Sequence, residues 1–304
     1  MAFPPQSSPF DLCGIPEQPV SRLAPTPSGF LHLGNALNFL VTWALVRSRN
    51  GRLHLRIDDM DGQRFRPDVL EDIFVSLDWL GLDWDEGPDG PDSFVKTFSL
   101  QSRKSVYWDY LEQLGKKAGH TFVCRCSRKD IKKASVNGLY PGTCRKASLT
   151  FTPGQNTIRL KVDENSRMDV GGRQVALSMA FGDFVLWRRD DQPSYQLASL
   201  IEDETTGTNL IVRGEDLLAS SAAQIYLARC FGFDGFPAAT FVHHELILGA
   251  DGEKLSKSRG AYALKDIRES GRGGQVAVRE AAKLLGIDPE TVRTAEDLLA
   301  SLRQ

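Results

Sequence analysis

The sequence predicts an α/β fold in which a mostly parallel, doubly wound sheet is covered by helices on both faces. Short strand-like stretches alternate along the chain with stretches whose apolar residues recur at helical spacing. No internal repeat interrupts this order. The composition, 41% hydrophobic and 25% charged over 304 residues, is that of a globular protein with a large core.

The first strand and helix are separated by a cluster of turn residues. Residues 19–24 predict a short strand that ends at the turn residues Pro25 to Gly29. The stretch from Leu33 to Arg49 is apolar on nearly every face, which predicts a buried helix. Gly51 is expected just after its cap.

The next elements continue the alternation. The segment RLHLRID places Leu53, Leu55 and Ile57 on one side of a second strand. Pro67 opens a helix that Gly81 closes, because apolar residues recur between them at helical spacing. Residues 102–118 predict a further helix.

The last third of the chain repeats the pattern. TNLIVRGED predicts an apolar strand that leads into a helix over about 216–230. TFVHHELILGADGEKLSKS predicts a strand that ends in an Asp-Gly turn. GQVAVREAAKLLGI and ETVRTAEDLLASLRQ predict short amphipathic helices that pack back on the core.

Composition excludes several classes of protein. No apolar stretch approaches the roughly 20 residues of a membrane span, so we expect no membrane partner. Residues 1–19 contain no Lys or Arg and are expected to form a flexible leader, not a signal peptide. Five cysteines, three of them within 124–144, do not form the paired framework of a small secreted domain, which favours the cytoplasm. The net charge of −2 argues against a wholly basic nucleic-acid binder.

Two short segments have the chemistry of a phosphate site. FLHLGN places His32, Gly34 and Asn35 at the start of the buried helix, where unpaired N–H groups favour an anion. GEKLSKSRG places Lys254 and Lys257 on a glycine-flanked loop, where they suit the charge of a triphosphate. Each segment alone is a weak signal, since helix-start histidines are often caps and loop lysines are often merely solvated.

Together and in this order, the two segments resemble the signatures of the class I aminoacyl-tRNA synthetases. HLGN is similar to their His-x-Gly-x motif and KLSKS to their lysine loop. Six further segments resemble the glutamyl branch of that family: RLAPTPSGFLHLGN, LHLRIDDMD, LDWLGLDWDEGP, YQLASLIED, LIVRGEDLLASSAAQIYL and LILGADGEKLSKS. These segments cover most of residues 20–260.

The resemblance implies that the carboxylate of an amino acid attacks the α-phosphate of ATP with the help of Mg²⁺, and that the acyl group then passes to an RNA hydroxyl. It implies catalytic roles for His32, Lys254 and Lys257. Gly34 and Asn35 would complete the ATP site. No general base is required, because a carboxylate is already ionised at neutral pH.

The resemblance also implies glutamate-binding residues: Arg22, Ala24, Thr26, Asp58, Tyr195 and Arg213. Two arginines suit a substrate with two carboxylates, although surface ion pairing is the alternative role for both. Asp58 departs from the family, which usually has Glu at this position to hold the substrate amino group. A closer backbone, a bridging water or a neighbouring residue could compensate for the shorter side chain.

Only a short tail follows Gly260, whereas ordinary members of the glutamyl branch continue into an anticodon-reading domain. This resembles a shortened group within the branch. That group activates glutamate without RNA and attaches it to queuosine in the anticodon of tRNA(Asp). The expected partners are therefore glutamate, ATP and queuosine-containing tRNA(Asp), and we expect a monomer.

The same group implies a structural zinc ion on Cys124, Cys126, Tyr140 and Cys144. Zinc prefers four ligands, and three thiolates supply most of a tetrahedral site. His120 is the competing fourth ligand, and free thiols are the alternative to a metal site. Seven basic residues, set against Asp130 alone, surround the cysteines and suit RNA phosphates, although a solvated face is the default: Arg125, Arg128, Lys129, Lys132, Lys133, Arg145 and Lys146.

These expectations divide the chain at its motifs. The catalytic domain would occupy 20–119 and 181–260, with a zinc-binding insertion at 120–180 and a helical tail at 261–304. Three alternatives remain open. The chain could charge the 3′ end of tRNA(Glu), it could be a nucleotidyltransferase of the same fold that ignores tRNA, or it could be a non-catalytic binding or regulatory paralogue.

Overall fold

The computed structural model describes residues 14–117, 119–135, 137–246, 263–271 and 273–303. In chain order its first elements are β1 (Val20–Leu23), α1 (Leu33–Ser48), β2 (Arg52–Leu55), α2 (Pro67–Trp79), α3 (Pro91–Ser93), α4 (Lys104–Lys116), β3 (Thr121–Cys124), α5 (Arg128–Ala134) and β4 (Thr157–Leu160). They are followed by β5 (Arg167–Val170), β6 (Arg173–Ala176), α6 (Leu177–Ala180), β7 (Phe184–Trp187), α7 (Tyr195–Thr205), β8 (Leu210–Gly214), α8 (Leu218–Phe231), α9 (Gly235–Ala238), β9 (Thr240–His244), α10 (Leu264–Glu269), α11 (Gln275–Leu285) and α12 (Ala295–Leu302).

The chain divides into two compact units. Unit 1 contains Met1–Leu100, Thr208–Asp216 and Ala239–Gln304, and unit 2 contains Gln101–Gly207 and Leu217–Ala238. Among the described residues no helix is both long and apolar enough to cross a lipid bilayer.

Unit 1 is built on two parallel strand pairs, as the sequence predicts. β1 pairs with β2 and β8 pairs with β9, both in parallel. The Asn209 N–H donates to the Val20 carbonyl oxygen at 3.0 Å, and the buried Ser21 hydroxyl donates to the Leu210 carbonyl oxygen at 2.7 Å. These bonds place the two pairs side by side, with β1 next to β8.

Helix α1 is the centre of the unit 1 core. It packs against β1, β2 and β8 and also against α11 and α12, so ten of its residues are buried. A helix covered on all sides requires apolar residues on every face, and the predicted buried helix is thus confirmed. The predicted packing of the last two helices on the core is confirmed as well.

Two local expectations in unit 1 are corrected. Asn50, with φ 52°, is the left-handed residue after α1, whereas Gly51 is needed because a Cβ there would lie 2.2 Å from the Pro19 carbonyl oxygen. β2 does not alternate between a buried and an exposed face. His54 is buried along with Leu53 and Leu55, as expected of a parallel strand covered on both sides.

Unit 2 combines an antiparallel sheet with helices. β4 lies between β3 and β7 in a three-stranded antiparallel sheet, and β5 and β6 form an antiparallel pair. α7 and α8 pack on each other, and α8 also contacts β5. The predicted insertion 120–180 lies within this unit.

Candidate functional site

The start of α1 is shaped by a histidine cap. The His32 Nδ1 accepts a hydrogen bond from the Gly34 N–H at 3.1 Å, and the His32 N–H donates to the Asn35 Oδ1 at 3.0 Å. An accepting Nδ1 carries no proton, so the neutral ring holds its proton on Nε2. His32 can therefore offer an Nε2–H donor while its other nitrogen caps the helix.

Gly34 is required by this histidine. A Cβ at position 34 would lie 3.0 Å from the His32 Cε1 and 3.1 Å from its Nδ1. Ordinary contacts between such atoms are about 3.5–4.0 Å, so a larger residue would displace the ring. The small residue two positions after the histidine thus leaves room for the imidazole.

The predicted glutamate-binding residues of unit 1 lie at or beyond the carboxyl ends of parallel strands. Arg22 lies on β1 and Arg213 on β8, while Ala24 and Thr26 follow β1 and Asp58 follows β2. Parallel strands present their ligands at this edge, so the topology brings the five residues to one side of the sheet.

Both arginines are buried. Arg22 is 5% exposed and Arg213 is 3% exposed. Their partners across the strands in register are His54 and His243, respectively. Such burial excludes the role of solvent-exposed ion pairing for either guanidinium.

Asp58 is held by a neighbouring arginine. The Arg56 Nε donates to the Asp58 Oδ1 at 2.7 Å, and both side chains are only 10% exposed. The Asp58 N–H donates to the Pro25 carbonyl oxygen at 2.8 Å, which ties the end of β2 to the first loop. The shorter acid is thus fixed beside the turn that follows β1.

Tyr195 belongs to unit 2. It is the first residue of α7, directly after the Ser194 cap, and it is 39% exposed. Lys254 and Lys257 lie outside the described residues.

The backbone that resumes after the lysine segment attaches to the α1 start. Ala263 forms an antiparallel bridge with His32, and the Leu264 N–H donates to the Leu31 carbonyl oxygen at 2.8 Å. One turn into α10, Arg268 donates to the Asp72 Oδ1 at 2.5 Å and to the Ser76 Oγ at 3.0 Å. Sequence reasoning did not identify this anchor, because its partners are almost 200 positions apart.

His244 is a second residue that the sequence did not identify. Its Nδ1 lies 2.8 Å from the Glu245 carbonyl oxygen, and its Nε2 lies 3.2 Å from the Asn38 Nδ2. A carbonyl can only accept, so the proton is on Nδ1 and Nε2 accepts from the Asn38 amide. Burial lowers the pKa of His244, which keeps the ring neutral. The doubled histidine in TFVHHE is the only local signal for it.

Unit 2 contains a cluster of three thiols. The Sγ atoms of Cys124, Cys126 and Cys144 lie within 4.8 Å of one another, with 3.6 Å between those of Cys126 and Cys144. Zinc–sulfur bonds of about 2.3 Å in a tetrahedron place sulfur atoms about 3.8 Å apart, so both the donor set and the spacing fit zinc. His120 is not part of the cluster among the described residues.

Tyr140 lies beside the thiol cluster. Its Oη lies 4.0 Å from the Cys126 Sγ and accepts a hydrogen bond from the Cys144 N–H at 2.7 Å. The Arg159 guanidinium lies over the Tyr140 ring, 4.3 Å from its centroid.

The electrostatics of the thiols differ. Burial, and then the bond with Cys144, raises the pKa of Cys126 to about 11. Burial opposes ionisation of Cys144 too, but hydrogen bonds from Tyr140 and from the Arg125 backbone lower its pKa overall. Burial raises the pKa of Tyr140. A bound cation would be needed to ionise all these groups together.

The basic residues around the cysteines are exposed, with one exception. Arg145 donates from Nε and Nη2 to the buried Asp183 carboxylate, both at 2.6 Å, so it is a structural residue and not part of a free basic surface. The other six are exposed and form what we term the basic surface: Arg125, Arg128, Lys129, Lys132, Lys133 and Lys146.

Comparison with known proteins gives a consistent result. The family described as "tRNA synthetases class I (E and Q), catalytic domain" matches residues 19–298. The chain is 38% identical over 310 residues to a Glutamyl-Q tRNA(Asp) synthetase of Symbiobacterium thermophilum, a match that covers 94% of this chain and 90% of that protein.

Longer relatives match over part of their length. A glutamate-tRNA ligase of Desulfosudis oleivorans is 33% identical over 268 residues, which cover 84% of this chain and 54% of the ligase. The chain therefore spans about half the length of this relative. A solved glutamate-tRNA synthetase of Elizabethkingia anophelis shares the fold, with a TM-score of 0.73 at 23% identity over 94% of this chain and 65% of that one.

Proposed function

Because the chain belongs to the class I tRNA synthetases with the E and Q catalytic domain, we propose that it activates glutamate with ATP, without RNA, and transfers it to queuosine in the anticodon of tRNA(Asp). The chain is accordingly a ligase of the aminoacyl-tRNA synthetase type. One observation carries the choice of acceptor. The match to the Glutamyl-Q tRNA(Asp) synthetase covers about nine-tenths of both chains, whereas the match to the glutamate-tRNA ligase covers about half of that protein.

In the first step a glutamate carboxylate oxygen forms a bond to the α-phosphorus of ATP, and the bond to the bridging oxygen of pyrophosphate breaks. The His32 Nε2–H would donate to a phosphate oxygen as negative charge develops. Lys254 and Lys257 would neutralise the departing pyrophosphate, and Mg²⁺, when bound, would supply further positive charge for the phosphates. The catalytic contribution is positioning and electrostatics, because no proton has to be removed.

Glutamate would be held by its charges. Arg22 and Arg213 suit its carboxylates, since a buried guanidinium favours an anionic ligand. Asp58 would accept from the substrate ammonium while Arg56 fixes its orientation. Ala24 and Thr26 would line the first loop, and Tyr195 would contribute from α7.

Zinc would be held by Cys124, Cys126, Cys144 and Tyr140. When bound it supplies cross-linking and no reaction chemistry, because all four ligands come from the protein. The ion would fix the strand end at Cys124 to the segment that carries the basic surface.

The first experiment is ATP–pyrophosphate exchange with glutamate and no RNA. Exchange is expected for the wild-type chain and for Lys283→Ala, an exposed lysine on α11 that pairs with Glu280. Exchange should be lost in Lys257→Ala. Absence of wild-type exchange, or normal exchange in Lys257→Ala, would contradict the proposed activation chemistry.

The second experiment identifies the acceptor. Labelled glutamate should appear on queuosine-containing tRNA(Asp) and on neither unmodified tRNA(Asp) nor tRNA(Glu). The 33% identity to a glutamate-tRNA ligase favours a second candidate, charging of tRNA(Glu) at its 3′ end. Label on tRNA(Glu) that is lost when the 3′-terminal ribose is oxidised with periodate before the reaction, together with no label on tRNA(Asp), would select that candidate instead.

A further inference from the structure

Unit 2 contains an aromatic cleft that has no part in the site described above. It has a volume of about 560 Å³, within the range of ligand pockets, and Trp108, Phe151 and Trp187 form its apolar walls. The Trp108 ring centroid lies 5.6 Å from that of Phe151 and 4.9 Å from that of Trp187. Three aromatic rings around an open space provide a surface on which a planar ligand can stack.

Hydrogen bonds fix the two indole rings in place. The Trp108 Nε1–H donates to the Glu112 Oε1 at 3.0 Å, one turn further along α4. The Trp187 Nε1–H donates to the Asp191 Oδ1 at 3.0 Å, and the other oxygen of Asp191 accepts from the Lys104 Nζ at 2.5 Å. Asp191 reaches both partners from a left-handed backbone conformation, with φ 59°. The two indole walls of the cleft are thus held in place without a ligand.

The charge inside the cleft disfavours a bound polyphosphate. Lys104 is neutralised by Asp191, and the remaining charged lining residue is Asp109. A free nucleoside triphosphate would bring its phosphates against a carboxylate. The fitting ligand is therefore a planar ring whose phosphates lie outside the cleft.

Hydrogen bonds lead from the cleft wall to a segment that carries positive charge. The lining residue Pro153 precedes Gly154, whose N–H donates to the Arg189 carbonyl oxygen at 2.7 Å. The Arg189 guanidinium in turn donates from Nη2 to the Arg125 carbonyl oxygen at 3.0 Å, where the basic surface begins. Two hydrogen bonds therefore connect the wall of the aromatic cleft to the basic surface.

From this juxtaposition we propose that the aromatic cleft of unit 2 binds an unpaired RNA base, stacked on Trp108 and Phe151, while the adjoining phosphates lie on the basic surface. Aromatic platforms beside positive surfaces are the general means of binding single-stranded nucleic acid. The inference rests on the proposed function for its choice of an RNA partner. It adds a base-binding site that is separate from the residues of glutamate activation.

The test measures binding of an anticodon stem-loop of tRNA(Asp), whose loop bases are unpaired, against a fully paired RNA of equal length. Trp108→Ala should weaken stem-loop binding about tenfold, whereas Trp108→Phe should retain most of it. The matched control is Tyr110→Ala on the same helix, because Tyr110 packs against Phe231 and Phe233 and does not line the cleft. All three variants should keep ATP–pyrophosphate exchange, which monitors the fold and the activation step.

Photocrosslinking of the wild-type chain needs no variant. A stem-loop with 4-thiouridine in its loop should crosslink to peptides containing Trp108 or Phe151, and ATP should not compete. The proposal is overturned if Trp108→Ala binds the stem-loop as well as the wild type does, if Tyr110→Ala loses as much binding, or if the paired RNA binds equally well. Crosslinks confined to other peptides, or competition from ATP, would also overturn it. If the wild-type chain shows no ATP–pyrophosphate exchange with glutamate, the proposed function is refuted, but the RNA-binding results can still be interpreted.

Discussion

Substitution of Gly34 tests the role of the histidine cap. In Gly34→Ala the new Cβ would lie 3.0 Å from the His32 Cε1, so the ring must retreat by about 0.5 Å to reach ordinary contact. Loss of the cap bond costs about 1 kcal/mol, and the higher helix propensity of Ala offsets about the same amount. Stability should therefore change little. A displaced transition-state donor costs far more, and we expect kcat/KM for ATP–pyrophosphate exchange to fall about 100-fold.

The assay combines exchange kinetics with urea denaturation of the same variant. Gly90→Ala is the control, because its backbone is extended and no atom lies within 4 Å of the added Cβ. It should match the wild type in both measurements. Unchanged exchange in Gly34→Ala would refute the argument that the glycine positions His32, and a parallel loss of stability and activity would assign the effect to folding.

The remaining predictions concern stability and metal. Arg268→Met leaves the carboxylate of Asp72, which is 6% exposed, without its guanidinium partner. The free energy of unfolding should fall by about 3 kcal/mol in urea denaturation, and an unchanged midpoint would contradict a stabilising role for the Arg268–Asp72 pair. His244 has a lowered pKa in the folded state, so near its unfolded pKa of about 6.5 the unfolded chain binds more protons and the free energy of unfolding falls as the pH falls. His244→Gln should flatten that decline between about pH 7 and 5.5, and a pH profile identical to that of the wild type would contradict this role of His244. Cys144→Ser should lose its bound zinc in metal analysis and should melt at a lower temperature than the wild type. Cys230→Ser, outside the thiol cluster, should keep the zinc content and melting temperature of the wild type, and equal zinc in the two variants would contradict the zinc site.

The parts of the fold that the sequence predicts best are those set by local pattern. The apolar run of α1 and the Pro67 start of α2 are confirmed, because burial on all faces and a proline at the first helical turn leave clear local signals. The antiparallel sheet of unit 2 was not predicted. Its strands are only four residues long, and such short runs carry little periodicity.

In the candidate site, too, local contacts could be predicted from the sequence and long-range contacts could not. The cap made by His32 and Gly34 is local, and its place at the start of a helix could be predicted from neighbouring residues. The contact of Asn38 with His244 joins residues 206 positions apart, and no local pattern reports it. The mistaken role of Arg145 has the same cause, since its partner Asp183 lies 38 residues away in the chain.

The contact between β1 and β8 affects how the chain folds during synthesis. The Ser21 hydroxyl bonds a carbonyl 189 positions later, so β1, α1 and β2 leave the ribosome long before their neighbouring strand exists. Closing a loop of that length carries an entropy cost that grows with the logarithm of the number of disordered residues. Folding of Gln101–Gly207 first would remove most of that disorder before the contact forms. Prior folding of Gln101–Gly207 would therefore lower the entropy cost of joining β1 to β8, and this non-local contact is expected to form late.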